Sequence, residues 1–212
     1  MCKILLIGVL LLSSSFIASA QFNKGDVLLG GQLSYNSAQS DYVPSQKSNN
    51  GNFTISFGKA IKENAVFGIN LSYSPGSQKN TDPNNFYDNT FNSYSAGIFY
   101  RLYKPLSKEF YFFGEGGVNY LGLSSDSKNT SGVKISSATA NGGGIYIMPG
   151  IAYRISKKFF LEVSIPNLFS VTYLSHKTAV NGITQTSATF NASASFMSNP
   201  LSNIGIGFRL VL

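Results

Sequence analysis

Apolar and polar residues alternate along most of this chain, the period of a strand whose two faces meet different surroundings. The pattern recurs eight times. Val27, Leu29, Leu33 and Tyr35 oppose Gly30, Gln32, Ser34 and Asn36. Phe53, Ile55 and Phe57 oppose Thr54, Ser56 and Gly58, and Phe67, Ile69, Leu71 and Tyr73 oppose Gly68, Asn70 and Ser72. Tyr94, Ala96, Ile98, Tyr100 and Leu102 oppose Ser95, Gly97 and Arg101, while Phe110, Phe112, Val118 and Tyr120 oppose Glu115, Gly117 and Asn119. Ile145, Ile147, Ile151 and Tyr153 lie across from Gly144, Gly150, Ala152 and Arg154. Phe159, Leu161, Val163 and Ile165 mark a seventh strand, with Glu162 and Ser164 behind them, and Ile204, Ile206, Phe208, Leu210 and Leu212 an eighth. No helical periodicity competes.

Connections alternate between short (61–64, 104–109, 156–158) and long, polar ones (37–50, 75–91, 123–141, 175–200). That rhythm belongs to a membrane barrel with short turns at one end and long loops at the other. A chain that starts and finishes on the short-turn side needs one more loop than turns. The pattern therefore predicts an all-β fold, a single eight-stranded antiparallel up-and-down transmembrane β-barrel. Pro149 and Pro166 interrupt strand patterns, and since proline cannot donate to a ladder a bulge or pairing break is expected at each. The stretch from Ala188 to Phe196 is expected to extend the last hairpin.

Composition supports a solvent other than water. Only 12% of the 212 residues are charged, against roughly 25% in ordinary soluble domains. Lys3, the apolar run Ile4 to Leu12 and the small residues Ala18-Ser19-Ala20 read as a signal peptide over 1–20, which leaves 21–212 as one barrel domain. The one cysteine, Cys2, lies in that leader, so neither a disulfide framework nor a thiolate metal site is expected. The net charge of +7 becomes +6 once Lys3 leaves, and the scattered lysines suit anionic lipid head groups better than nucleic acid.

In a membrane barrel the apolar face meets lipid and the polar face looks inward. The three arginines, Arg101, Arg154 and Arg209, all fall on the polar face near the short turns, as do Glu115 and Glu162. These five are expected to form an interior charge network, because charge enclosed in a narrow barrel must be paired. Outward aromatics form two belts: Tyr100, Phe110, Tyr153, Phe159 and Phe208 toward the turns, and Tyr35, Phe53, Tyr73, Tyr94 and Tyr120 toward the loops.

With its leader, the segment Met148-Pro149-Gly150-Ile151-Ala152-Tyr153-Arg154, the following Phe159-Phe160-Leu161-Glu162 and the closing Ile204 to Leu212, the chain resembles the small OmpA/OmpX-type and porin-like outer-membrane β-barrel proteins common in Bacteroidetes. The resemblance implies location in the outer membrane and insertion by the barrel-assembly machinery. The closing strand, with Phe208, Leu210 and Leu212, looks like the assembly signal, although it ends on leucine where an aromatic is usual.

Three functions compete. A monomeric scaffold would present four extracellular loops to an unknown surface ligand, with Tyr42, Phe86, Tyr87 and Phe91 as candidate contacts. A narrow porin-like channel for small solutes would exploit the inward glycines and serines. An enzyme would need a base, and the one histidine, His176, has only Asp126 or Glu162 as conceivable partners. The scaffold is the expected reading, with no catalytic, cofactor-binding or metal residue assigned. Gly142-Gly143-Gly144 opens a strand, so it is read as a flexible loop exit or close strand approach, not as a phosphate loop.

Overall fold

Among the described residues the chain forms ten strands: β1 (Val27–Ser40), β2 (Gln46–Lys62), β3 (Ala65–Asn80), β4 (Tyr87–Pro105), β5 (Phe110–Lys128), β6 (Lys134–Arg154), β7 (Phe159–Ser164), β8 (Phe169–Val180), β9 (Ile183–Ala194) and β10 (Gly205–Val211). This computed structural model describes residues 22–40, 46–80, 82, 86–129, 131–166, 168–180, 183–194 and 204–212. The leader, Tyr42 and Phe196 lie outside them. No helix among the described residues is long and apolar enough to cross a membrane, which leaves open a crossing by strands.

Every pairing is antiparallel, and a ring closes through β1, β2, β3, β4, β5, β6, β7 and β10. These are the eight segments of the alternation. β8 and β9 are additional: β8 runs along the same edge of β6 as β7, and β9 returns along β8. Both fall largely where the sequence pattern puts a long loop. Phe169, Val171 and Tyr173 do alternate with Ser170 and Thr172 at the start of β8, but from Ser175 through β9 Ser, Thr and Asn with scattered apolar residues carry too weak a two-faced pattern to read as strand. The other loops also shrink, because the ladders continue to Ser40, Asn80 and Lys128 before the chain turns. Pro75, placed in a loop by the sequence pattern, sits in β3 opposite Asn92. The turn-side hairpins fall where the alternation puts them, and Asn64 takes the left-handed conformation (φ 57°) at the β2–β3 turn.

Both prolines mark a break. On its β5 side β6 continues past Pro149, which opposes Gly114. On its other edge the partner changes from β8, ending at Ile147, to β7, beginning at Gly150. Pro166 lies between β7 and β8 in the same gap. Pro149 loses nothing as an acceptor, since its carbonyl takes the Ile165 N–H at 3.0 Å. Toward the hairpins β1 has a ladder on one side: Ser34–Ser40 pair with β2 and with no other described strand, and β9 pairs with β8 alone.

The outer face is apolar in registered rows. Phe57, Ile69, Ile98, Val118 and Ile145 follow one another across β2 to β6, and each is about half exposed. A soluble protein does not leave such a band bare. Aromatics bound it on both sides. Phe53, Tyr73 and Tyr94 are in register toward the hairpins. Toward the turns Phe110 packs on Tyr153 at 4.9 Å and Phe159 stacks on Phe208 at 6.2 Å. On β5, Phe110 and Tyr120 are separated by roughly 33 Å along an extended strand, or about 25 Å of height at a 40° tilt, which is the height of the lipid-facing band of membrane barrels.

The inner face divides by height. Its turn half is an apolar core that includes Leu28, Val66, Phe99, Phe113 and Phe160. Phe22, preceding β1, is fully buried in it, with ring centroids 4.5 Å from Tyr103 and 5.3 Å from Phe160. Glycines make this possible: a Cβ at Gly68 or Gly150 would run into the rings of Phe99 or Phe113.

Replacing Ile98 by Arg places a charge in the middle of the apolar row. It should cost about 2–4 kcal/mol, read as a loss of unfolding free energy in lipid vesicles, whereas Ile98→Leu should stay near wild type.

Candidate functional site

The chemistry of the chain collects in the lumen, directly above the aromatic core. Antiparallel register sets Arg101 on β4 opposite Glu115 on β5, and Arg209 and Glu162 reach the same level from β10 and β7. Arg101 donates through Nε to Glu115 Oε2 at 2.7 Å and through Nη1 to both Glu162 oxygens at 2.8 and 2.7 Å. Arg209 meets Glu162 through Nε at 3.0 Å and Nη2 at 3.2 Å, and gives Nη1 to Ser56 Oγ at 3.2 Å. Glu162 is thus the hub, and it also accepts the Tyr103 hydroxyl at 3.0 Å. Two guanidinium and two carboxylate groups cancel in charge, and all four residues are buried.

Burying ions is tolerable when every charge is paired and the remaining donors are used. The cluster meets that demand with neutral groups on both sides. Below, the Arg101 guanidinium lies 4.2 Å from the centre of the Phe113 ring, within cation–π range. Above, Glu115 Oε1 accepts the Tyr146 hydroxyl at 2.8 Å, and Asn70 donates to that hydroxyl at 2.8 Å. Two glycines clear the room needed: a Cβ at Gly30 would stand against Ser56 and Arg209, and one at Gly117 against the Tyr146 ring.

Arg154 does not join. The strand partner of Glu162 on β6 is Ala152, so Arg154 sits two residues nearer the turn, opposite Phe160. There it donates to the Lys108 carbonyl and lies 5.9 Å from the centre of the Tyr111 ring. Tyr103, Tyr146 and Asn70 are members of the cluster that the sequence pattern does not single out. Tyr103 shares the inward parity of Arg101, a signal present in the chain itself. Tyr146 could not be recognised without the register that brings β6 beside Glu115.

The remaining candidates are dispersed. Phe91 turns into the lumen, where it lines a cavity. Phe86 lies under Lys79, with Nζ 5.9 Å from its ring centre, and Tyr87 opens β4. His176 is on β8, opposite Ala140 and Ser187. Its two conceivable acids are engaged elsewhere, Asp126 with Lys134 at 2.6 Å and Glu162 with the arginines. Phe208 and Leu212 lie exposed on the outer face, while Leu210 opposes Leu29 and Phe159. Gly142 lies within β6, where a Cβ would strike the Tyr173 carbonyl, so the triple glycine does serve close strand approach.

A family model described as an outer membrane protein beta-barrel domain matches residues 4–196. The chain belongs to this outer-membrane β-barrel family. Solved structures of similar fold include the outer membrane protein OprG from Pseudomonas aeruginosa, at 12% identity and a TM-score of 0.54 over 92% of this chain and 99% of that one. Another is a major outer membrane protein from Thermus thermophilus, at 9% identity and a TM-score of 0.52 over 88% of this chain and 99% of that one. At such identities the likeness is one of fold. A search of curated protein sequences found no match. Family and fold place this β-barrel in the outer membrane, and its apolar band is accordingly the surface that meets lipid.

Removing one carboxylate from the cluster of this outer-membrane barrel leaves two buried guanidinium groups short of charge. Glu162→Gln should lower stability in lipid vesicles by about 3–5 kcal/mol, and Arg154→Gln by about 1 kcal/mol or less. Denaturant unfolding of the two variants side by side checks the ranking.

Proposed function

We propose that this protein is a non-conducting outer-membrane barrel, a rigid scaffold whose hairpin ends stand outside the cell and make surface contacts, with the short turns in the periplasm. The observation that carries the reading is the filled lumen. Just above the charge cluster only a void of about 20 Å³ remains, bounded by Gln32, Ser56, Asn70 and the cluster itself, which is room for about one water molecule. Below it the aromatic core occupies the section. An eight-strand ring has an interior that side chains can fill, and here they fill its turn half and its middle.

The surface-contact part rests on the hairpins. With the ladders running to Ser40, Asn80 and Lys128, the outer parts of the molecule are stiff β-ribbons carrying short connections, a rigid platform for a binding partner. Lys79, Asp88, Asp126 and Lys134 form exposed ion pairs on them at 3.8 and 2.6 Å. Phe208 and Leu210 of β10 and the following Leu212 alternate as apolar positions, and we assign them as the segment read by the barrel-assembly machinery. The ring closes on itself without a second copy, in keeping with a monomer whose immediate partners are lipids.

The opposing reading is a narrow channel for small solutes. Planar-bilayer recording on the purified, heat-modifiable protein separates them: no current above the bare bilayer is expected at ±100 mV in 1 M KCl, conditions on the order of those that reveal open aqueous barrels. Stable conductance steps in the wild-type protein would overturn the closed reading.

A further inference from the structure

Above the plug the lumen widens into a cup of about 500 Å³, within the roughly 300–1,000 Å³ range of small-ligand sites. Its floor is Tyr146, Asn70 and Glu115, and its sides rise to Asn50, Phe91 and Leu123 toward the hairpins. Because the turn end is filled, entry is from the hairpin side.

The polar part of the lining is almost entirely neutral hydroxyl and amide groups, set beside the apolar side chains of Phe91, Leu121, Leu123, Met148 and Pro166. Among the described residues Glu115 is the one Asp, Glu, Lys or Arg in it, and its charge is spent on Arg101, 2.7 Å away. The two sides of the cup differ. On β2 and β3 the polar groups satisfy one another: Asn52 donates to Ser74 at 2.6 Å, Thr54 donates to Asn52 at 3.0 Å, and Thr54 and Ser72 share a hydrogen bond of 2.8 Å. On β4 and β5, Ser93, Ser95 and Asn119 point into the same space with no hydrogen bond to another described side chain. Asn119 has glycine on both flanking strands, Gly97 and Gly144, which leaves its amide clear to reach inward.

We infer that this cup binds a neutral, polyhydroxylated small molecule, of the size of a mono- or disaccharide, taken from the external side. An ion would shed hydration without gaining a counter-charge. An alkyl chain would leave the serines and Asn119 unpaired. A polyol offers hydroxyls to Ser93, Ser95 and Asn119, and its carbon faces to Phe91, Leu121 and Leu123. The inference rests on the closed floor of the proposed scaffold.

The test is isothermal titration calorimetry on the folded protein, in a zwitterionic detergent without a sugar head group, against glucose, galactose, maltose and sucrose, with glucuronate and decanoate as controls. Saturable binding of at least one neutral sugar is expected, weakened tenfold or more by Asn119→Leu and several-fold by the milder Ser95→Ala, with heat modifiability confirming that each variant is folded. No saturable binding by any of the four sugars overturns the proposal. So does binding that a folded Ser95→Ala variant leaves unchanged, or a preference for glucuronate or decanoate. Conductance recorded on the same preparation keeps the two readings apart: current without sugar binding defeats both, whereas binding without current upholds both. Current that the bound sugar blocks would overturn both, the sugar then lying in a passage and not in a closed cup, whereas neither current nor binding would leave the scaffold and remove the site.

Discussion

Inside a hydrocarbon layer there is no water to satisfy a backbone N–H or C=O, so each must find its partner in another strand. The ring from β1 through β7 and β10 answers that constraint, and most other features of the molecule are arranged around it. Glycine occupies positions where rings and guanidinium groups must cross the lumen. Pro149 and Pro166 share the gap where β6 exchanges β7 for β8, while Pro75 lies toward the hairpin end of β3 and Pro105 at the turn end of β4. The one-sided stretches of β1 and β9 lie on the hairpin side of that gap.

A closed ring creates a second problem, which is what to put inside it. The chain solves it in layers. Aromatic rings fill the turn half, and Phe22, from outside any strand, completes that layer. A neutral quartet of two arginines and two glutamates crosses the middle. Since the quartet contains no excess charge and its outer groups are engaged by Ser56, Tyr103 and Tyr146, it can sit in a low-dielectric section at acceptable cost. Above it the lumen stays open, lined by uncharged hydroxyl and amide groups together with Phe91, Leu121 and Leu123. In the closed barrel we propose, what remains chemically available is the cup and the hairpin ends around it.

Much of this is legible in the residues alone. Two-residue alternation is strictly local, so Phe57, Ile69, Ile98 and Val118 announce their outward face without knowledge of their neighbours, and the eight ring strands and three tight turns follow. The inward parity of Arg101, Glu115, Glu162 and Arg209 comes from the same rule. The alternation is silent where both faces are polar. In the second half of β8, in β9 and at the outer ends of the other hairpins, strand and loop have similar composition, and what makes them strands is pairing.

Height within the barrel is the other hidden quantity. Parity says that Arg154 faces inward, but only the β6–β7 register says that it stands beside Phe160 and not beside Glu162. The same holds for Phe91, which reads as a loop aromatic until the β3–β4 ladder carries it over the lumen, and for Phe22, which no pattern singles out. The order of residues is enough to say which face each strand position shows, because that depends on one bond after the next. Which residues meet, where the lumen closes and where it stays open emerge only in the assembled barrel, because they depend on the stagger between strands far apart in the chain.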